Sequence, residues 1–329
     1  MKILIYALGG GLGHLQRAIA LGRRLKKSCQ LSIVTNSPFA HFAQKEGLKT
    51  IQLSGSKKDI EDGVKELFSK TSADVLIVDT FPAGPTGELA RLNTSLPKNR
   101  CLIHRSLHSY NVERPWPTYE LIINSEATAE VTEIAKECHS KKVVELGPLL
   151  LRSKKELLGK EEARAALGVG GSGKVLLVYH HGYQREVEAL FRLCRTAFLR
   201  IAPENWQLIL ASLRPLEDKS LEPFHMSYWP LQELLLGADA VVTAGGYHSW
   251  YESALAKRPA IVIPMSRKFD CQRSRVTDEV RQVSSPAALE EALEKLFFEE
   301  PRQRKEEYHD YSEAAAIEIY QFFSSQSFH

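Results

Sequence analysis

Short apolar runs alternate along this chain with longer stretches whose apolar residues recur every three to four positions. The first kind reads as buried strand and the second as amphipathic helix, so their alternation predicts an α/β fold on parallel sheets. Residues 2–7 form the first expected strand. Residues 15–27 form the first helix, with Leu15, Ala18, Ile19, Leu21 and Leu25 on one side. Further strands are expected at 31–35, 74–79, 101–104 and 121–124. The pattern breaks over 147–173, a stretch rich in glycine and charge. A short helix at 160–167 opens a second half with strands at 175–179, 207–210, 238–243 and 260–264 and helices at 184–201 and 249–256. A last amphipathic helix is expected at 307–323, its Tyr308, Tyr311, Tyr320, Phe322 and Phe323 packing on a domain surface. This predicts two Rossmann-like domains, 1–147 and 148–305, facing a central cleft, with a terminal segment 306–329 that crosses back to the first. Open α/β sheets bind ligands beyond the carboxyl ends of their strands, so two such edges can hold two substrates.

Composition mainly excludes. The 329 residues suffice for two cores, and 43% apolar with 25% charged residues is globular. A net charge of +3 is too small to imply a nucleic-acid binder on charge alone, and none is expected as a partner. Arg23, Arg24, Lys26 and Lys27 read as a solvated helix face; the sharper alternative is weak peripheral contact with an anionic membrane. The five cysteines are odd in number, widely spaced and without a CxxC pair. That argues against a disulfide framework or structural zinc and fits a reducing cytoplasm. No apolar run reaches the roughly 20 residues of a membrane span.

Two constellations carry chemistry. The first is residues 9–14, Gly-Gly-Gly-Leu-Gly-His, where strand one turns into helix one. Glycines let backbone approach a ligand, and N–H groups at a helix start favour phosphate. A dinucleotide fingerprint fails, because His14 replaces its last glycine and strand two ends in Thr35-Asn36 without a carboxylate. No Gly-Lys-Ser/Thr follows, which excludes a P-loop. The plain alternative is a tight turn with a histidine cap. Asp79 ends a strand at the expected ligand edge; it either orients His14, binds hydroxyls, or caps the Phe81-Pro82 turn.

The second constellation is residues 237–252, where a strand ends at Thr243, Gly245 and Gly246 turn, and a helix starts near His248 or Ser249. Its N–H groups mark a place for a diphosphate. Glu252, one turn in, accepts two ribose hydroxyls or merely complements the helix dipole. Adjacent residues on a strand point to opposite faces, so His180 and His181 do not read as a metal pair.

Residues 9–14, followed by Leu15-Gln16-Arg17-Ala18, resemble the first loop of the MurG-type N-acetylglucosaminyltransferases, which reads Gly-Gly-Thr-Gly-Gly-His. A related nucleotide-sugar hydrolase carries the same Gly-x-Gly-His feature. The resemblance implies a GT-B fold, with Gly10, Gly11 and Gly13 in an acceptor-side loop and His14 as general base. Histidine titrates near neutral pH, which suits that role. In the second half, the glycine turn, the helix with Glu252, the strand ending at Pro264 and Asp270-x-Gln272 follow the order of the family's donor site. The implied donor-binding residues are Gly245, Gly246, Ser249, Glu252 (ribose), and Asp270 and Gln272 (sugar). Residues 79–89 and 245–252 resemble a less characterised branch of predicted glycosyltransferases more than MurG itself.

Two departures stand out. His180-His181-Gly182-Tyr183 replaces the family's Gly-Gly-Ser-x-Gly, making His181 a substitute phosphate donor. The family's histidine before Asp-x-Gln is absent, and Arg267 and Lys268 stand nearby, either to neutralise a diphosphate or as plain loop charges.

The reading that follows is a metal-independent, inverting glycosyltransferase in the cytoplasm, without organic cofactor. It would use a nucleotide-sugar donor, a UDP-sugar by the same resemblance, and an acceptor the sequence does not name. The alternatives are a nucleotide-sugar hydrolase or epimerase of the same fold, and a non-catalytic nucleotide-sugar binder.

Overall fold

The computed structural model describes every residue except 109, 111, 113, 127–129, 276–279, 300–306 and 327–329. The chain divides into two compact units, Met1–Leu151 with Asp310–His329, and Arg152–His309. The second expected boundary, 305/306, falls within a stretch outside the described residues.

Among its described residues the first unit holds a seven-stranded sheet: β1 (Lys2–Ala7), β2 (Gln30–Thr35), β3 (Lys49–Gln52), β4 (Val75–Asp79), β5 (Asn99–His104), β6 (Leu121–Asn124) and β7 (Lys142–Glu145). The order is β3-β2-β1-β4-β5-β6-β7, every pairing parallel. All five residues of β4 are buried, which is why its sequence is a continuous apolar run rather than an alternation. Five helices accompany these strands: α1 (Leu12–Leu25), α2 (His41–Lys45), α3 (Lys57–Lys70), α4 (Glu88–Arg91) and α5 (Val131–Glu137). On one face Leu4, Tyr6, Val34, Leu76, Val78, Leu102 and Ile122 pack with Val64 and Phe68 of α3.

The second unit repeats the plan with four helices and six strands among its described residues. The helices are α6 (Lys160–Ala166), α7 (Gln184–Ile201), α8 (Tyr247–Leu255) and α9 (Pro286–Phe298). The strands are β8 (Lys174–Tyr179), β9 (Trp206–Ala211), β10 (His225–Met226), β11 (Ala240–Thr243), β12 (Ala260–Val262) and β13 (Arg281–Gln282), in the parallel order β10-β9-β8-β11-β12-β13. Val187, Leu190, Phe191, Cys194, Ala197 and Phe198 recur along α7 at helical spacing, are buried, and pack with strand residues and α9. Truncating the fully buried Phe191 to Ala would cost about 3–5 kcal/mol.

Strands β3, β7, β10 and β13 have no counterpart in the sequence reading. They are two to four residues long and only partly buried, so they lack the apolar run. Helices α2, α3, α4, α5 and α9 likewise have no counterpart; a Ser56–Asp59 capping box starts α3, but only its Val64 and Phe68 are buried. Helix α1 begins three residues before the expected Leu15, taking in Gly13 and His14. The final helix, α10 (Ser312–Gln326), starts later than 307; Tyr308 and Tyr311 precede it, Phe323 is buried and Tyr320 is 40% exposed. It belongs to the first unit, where Asp310 accepts from the Leu150 N–H (3.0 Å) and Ser312 Oγ donates to the Leu150 carbonyl (3.1 Å).

The basic cluster of α1 is not a free cationic patch. Arg23 pairs with Glu46 (3.0 Å), Arg24 with Asp310 (3.3 Å) and Glu313 (3.4 Å), and Lys26 donates to the Glu46 carbonyl (2.5 Å). Arg23 and Arg24 thus have carboxylate partners, whereas Lys26 meets a carbonyl and Lys27 is exposed with Glu313 at 4.0 Å. Among the described residues, no helix is long and apolar enough to cross a membrane.

Candidate functional site

In each sheet the strand order reverses at one place: between β1 and β4 in the first, between β8 and β11 in the second. At such a switch point the connections leave in opposite directions and open a crevice beyond the carboxyl ends. Both sequence constellations fall there. The glycine turn follows β1 and Asp79 ends β4; residues 180–183 follow β8 and Gly245-Gly246 follow β11.

In the first unit, Gly9, Gly10 and Gly11 are exposed. Gly10 has φ +72°, which a glycine adopts without strain. The N–H groups of Gly9 and Gly10 donate to Asn36 Oδ1 (3.0 and 2.8 Å), so the turn is held from the end of β2. Gly11 is the N-cap of α1; the helix has no side-chain cap and no acidic residue in its first turn, which favours an anion or developing negative charge. A Cβ on Gly11 would meet nothing within 4 Å, whereas one on Gly9 would overlap the His14 ring. Gly13 lies within the first turn of α1.

His14 Nδ1 lies 2.6 Å from Asp79 Oδ2. A carboxylate accepts, so Nδ1 carries the proton and Nε2 keeps its lone pair. Arg17, one turn along α1 and 3% exposed, grips the same carboxylate: Nε to Oδ1 at 2.7 Å and Nη2 to Oδ2 at 2.8 Å. Arg17 Nη2 also donates to Thr80 Oγ1 (2.8 Å), and Thr80 Oγ1 donates to Asp79 Oδ2 (3.1 Å). Thr80 has φ +71°, an outlier for a β-branched residue and a mark of local strain. Phe81 packs on the imidazole, ring centres 5.2 Å apart.

The protonation states follow. Burial alone would raise the Asp79 carboxyl, but the Arg17 charge and the hydrogen bonds from His14 and Arg17 outweigh it and hold it well below the ordinary range. Burial lowers His14; Asp79 opposes this and the charges of Arg17 and Arg105 reinforce it. The imidazole is therefore neutral at neutral pH and able to accept a proton.

In the second unit, Gly245 has φ +72°, and a Cβ there would come within 2.7 Å of Val262. Gly246 is the N-cap of α8, which starts at Tyr247, earlier than the expected His248 or Ser249, again without side-chain cap or acidic first turn. Ser249 Oγ donates back to the Gly246 carbonyl (3.1 Å). Glu252 is 5% exposed and its Oε1 has no hydrogen-bond partner among the described residues; the nearest cation candidate is His248 Nδ1 at 3.7 Å. Thr243 Oγ1, at the end of β11, is likewise buried and unpartnered. Buried polar atoms are normally satisfied by protein or ordered water, so these two mark a place where a water or a ligand group can bind. Gln272 lies against the glycine turn, its Nε2 3.8 Å from a Cβ built on Gly246, while its Oε1 accepts from the Met265 N–H (2.8 Å).

Three expected donor residues stand differently. Asp270 Oδ1 is held by Arg275 Nη2 (2.5 Å). Arg267 is not a free cation: Glu186 takes both its terminal nitrogens, at 2.5 and 2.6 Å. His181 Nδ1 is buried without a partner among the described residues, and burial, then the charges of His180 and Arg214, push its imidazole down to about 3. His180 and His181 follow β8 rather than lying on it, and Arg214 pins their loop by donating to the Gly182 carbonyl (2.7 Å). Among the described residues no three His, Cys, Asp or Glu side chains converge as a metal site would require.

The sequence reading missed Gly9, Arg17, Thr80 and Glu186. Gly9 stood in the glycine run with nothing to single it out, and Arg17 looks like any cation on an amphipathic helix. The conformation of Thr80 and the pairing of Glu186 leave no trace in a linear pattern.

No family model and no curated protein matches the chain. Solved structures do match over nearly its whole length. The UDP-GlcNAc 2-epimerase of Methanocaldococcus jannaschii, in complex with UDP-GlcNAc and UDP, overlays with a TM-score of 0.66 at 14% identity, covering 98% of this chain and 100% of that one. The S. aureus MnaA–UDP structure gives 0.67 at 11% identity over 98% and 97%. The calicheamicin glycosyltransferase CalG4 gives 0.60 at 16% identity over 99% and 98%. At such identities the likeness carries the fold alone: two Rossmann-like units of the GT-B kind, a fold common to glycosyltransferases and nucleotide-sugar epimerases.

Proposed function

We propose that this chain is a nucleotide-sugar enzyme of the MurG-like type, an inverting glycosyltransferase whose first unit takes the acceptor and whose second takes a UDP-sugar. The observation that carries this reading is the His14–Asp79 pair at the switch point of the first sheet. A sugar or lipid hydroxyl is a poor nucleophile until its proton is removed. His14 Nε2 takes that proton as the acceptor oxygen attacks the anomeric carbon. The bond from that carbon to the diphosphate oxygen breaks, and its electron pair leaves with the diphosphate. The uncapped start of α8 supports the departing charge. The unpartnered oxygen of Glu252 suits the ribose hydroxyls, and Gln272, against the glycine turn, suits the sugar; Asp270 joins it only by sharing its carboxylate with Arg275. The UDP and UDP-GlcNAc in the similar structures favour uridine as the base. No step requires a metal, and a cytoplasmic location matches both the donor and the free cysteines.

A second reading is an epimerase or hydrolase on the same donor. The fold accommodates it equally: the M. jannaschii 2-epimerase overlays at 0.66 and 0.61 in two structures, and the glycosyltransferase CalG4 at 0.60. The same imidazole would then take a proton from a sugar carbon or from water.

One experiment separates these. Thermal shift across nucleoside diphosphates and their sugars identifies the donor, since ligand binding to the native state raises the melting temperature. The best ligand is then incubated with the protein in deuterated water and followed by proton NMR. Deuterium entering the sugar means epimerase, and free sugar means hydrolase. An unchanged donor that turns over only with a hydroxyl acceptor means transferase. Binding without any turnover leaves a non-catalytic binder.

A further inference from the structure

We propose that Arg17 is a positioning residue: by gripping both oxygens of Asp79 and the hydroxyl of Thr80, it balances the buried carboxylate and so leaves the His14 imidazole to serve as an uncharged base. This rests on His14 being the base of the proposed reaction. It adds a residue that the loop motif does not assign.

The argument is one of counting charge. Asp79 is 3% exposed and Arg17 is 3% exposed. A buried cluster is most stable near net neutrality, because each uncompensated charge loses its hydration. Among the three groups in hydrogen-bond contact, the Asp79 carboxylate and the Arg17 guanidinium cancel and a neutral imidazole completes the set, while Arg105 acts on the ring through its charge alone and less strongly. Without Arg17, the cluster reaches neutrality by putting a second proton on His14, which then forms an imidazolium–carboxylate pair. An imidazolium has no lone pair and is useless as a base.

Geometry agrees. The guanidinium meets Asp79 with two nitrogens at 2.7 and 2.8 Å, the fork arrangement that fixes orientation as well as charge. Its Nη2 lies 3.4 Å from His14 Nδ1. That nitrogen already donates to Asp79 and cannot also accept, so this contact is a like-sign approach that opposes further protonation. The groups facing the ring are Asp79, which favours the proton, and Arg17 and Arg105, which oppose it, Arg17 more strongly. Thr80 closes the assembly from a strained backbone at φ +71°, with its N–H tied to the Ile103 carbonyl (2.9 Å). Strain of this kind persists where surrounding contacts over-determine it.

The test is a histidine-labelled NMR titration of the full chain from pH 5 to 9, compared with Arg17→Gln and Arg17→Lys. In the native protein His14 is neutral and protonated at Nδ1 at pH 7, its midpoint lying below the ordinary 6.5. In Arg17→Gln its midpoint rises by at least about one pH unit, a tenfold gain in proton affinity, while Arg17→Lys, which keeps the charge, restores most of the low midpoint. Wherever turnover is measurable, the acid limb of its pH profile moves by the same amount in Arg17→Gln. An Arg17→Gln midpoint equal to the native one overturns the proposal, and so does a native His14 that titrates above pH 7. If Arg17→Gln fails to fold, Arg17→Met, which keeps a long uncharged side chain in the same space, takes its place in the titration. The NMR readout needs no substrate, so a neutral His14 in a protein without turnover would sink the enzymatic reading and leave the role of Arg17 standing.

Discussion

The imidazole of His14 lies so close over Gly9 that any side chain at position 9 would overlap its ring. Gly9 is thus needed for room. The ring is held between that glycine, the Phe81 ring and the Asp79 carboxylate.

Gly9→Ala should therefore act like a partial loss of His14. The displaced ring cannot keep its 2.6 Å bond to Asp79, and turnover should fall by about 10²-fold, the lower end of what a positioned base supplies. On the proposed reading the nucleotide sits on the other unit, so its binding should be unchanged in the thermal-shift assay. Full activity in Gly9→Ala would mean that His14 is not where the chemistry happens.

Glu252→Gln should separate binding from stability. The carboxylate is 5% exposed with one oxygen lacking a hydrogen-bond partner among the described residues, a cost the empty protein bears. The amide should leave the melting temperature unchanged or raise it, and weaken nucleotide binding by about 10–100-fold, the worth of a charge-assisted hydrogen bond. Calorimetric titration with UDP reads the second effect; equal affinities would remove Glu252 from the ribose.

Acid should destabilise the fold before its carboxylates titrate. Burial holds His14, His104 and His181 below the ordinary value of 6.5, His104 at about 4 and His181 at about 3. In the unfolded chain each binds its proton near 6.5; in the folded chain each does so only at lower pH. The unfolded state thus holds more protons throughout that window, and stability falls as pH drops from 6.5, by about 1.4 kcal/mol per unit for each histidine. Asp79 has the depressed-carboxylate sign: its contribution is present above 3.8 and is lost as pH falls toward its low folded value. Urea midpoints at pH 7.5, 6 and 5 check this, and a flat series would contradict it.

Gly245→Ala should destabilise the second unit. It forces a side chain into φ +72° and within 2.7 Å of Val262, a cost of about 1–3 kcal/mol. A hydrogen-exchange comparison should show the loss confined to residues 152–309, with amides of residues 1–151 protected as before.

What the sequence determined by itself was the local physics. Continuous apolar runs such as Val75–Asp79 require strands covered on both faces, and the spacing along Gln184–Ile201 requires a helix with one buried side. Glycines after β1 and β11 mark places where the backbone turns tightly before a helix, and they drew attention to His14 and Glu252. These are properties of neighbours in the chain, so they are readable from the chain. The meaning of charged side chains was decided only by the tertiary structure. Arg17 meets Asp79 across 62 positions of sequence, and Glu186 meets Arg267 across 81. Arg23 and Arg24, read as part of a solvated helix face with a membrane surface as the alternative, are answered by Glu46, Asp310 and Glu313. Whether a charge is free, balanced or buried depends on what the sheet order brings beside it. No periodicity records that order, because parallel strands pair through crossovers whose length hides their neighbours.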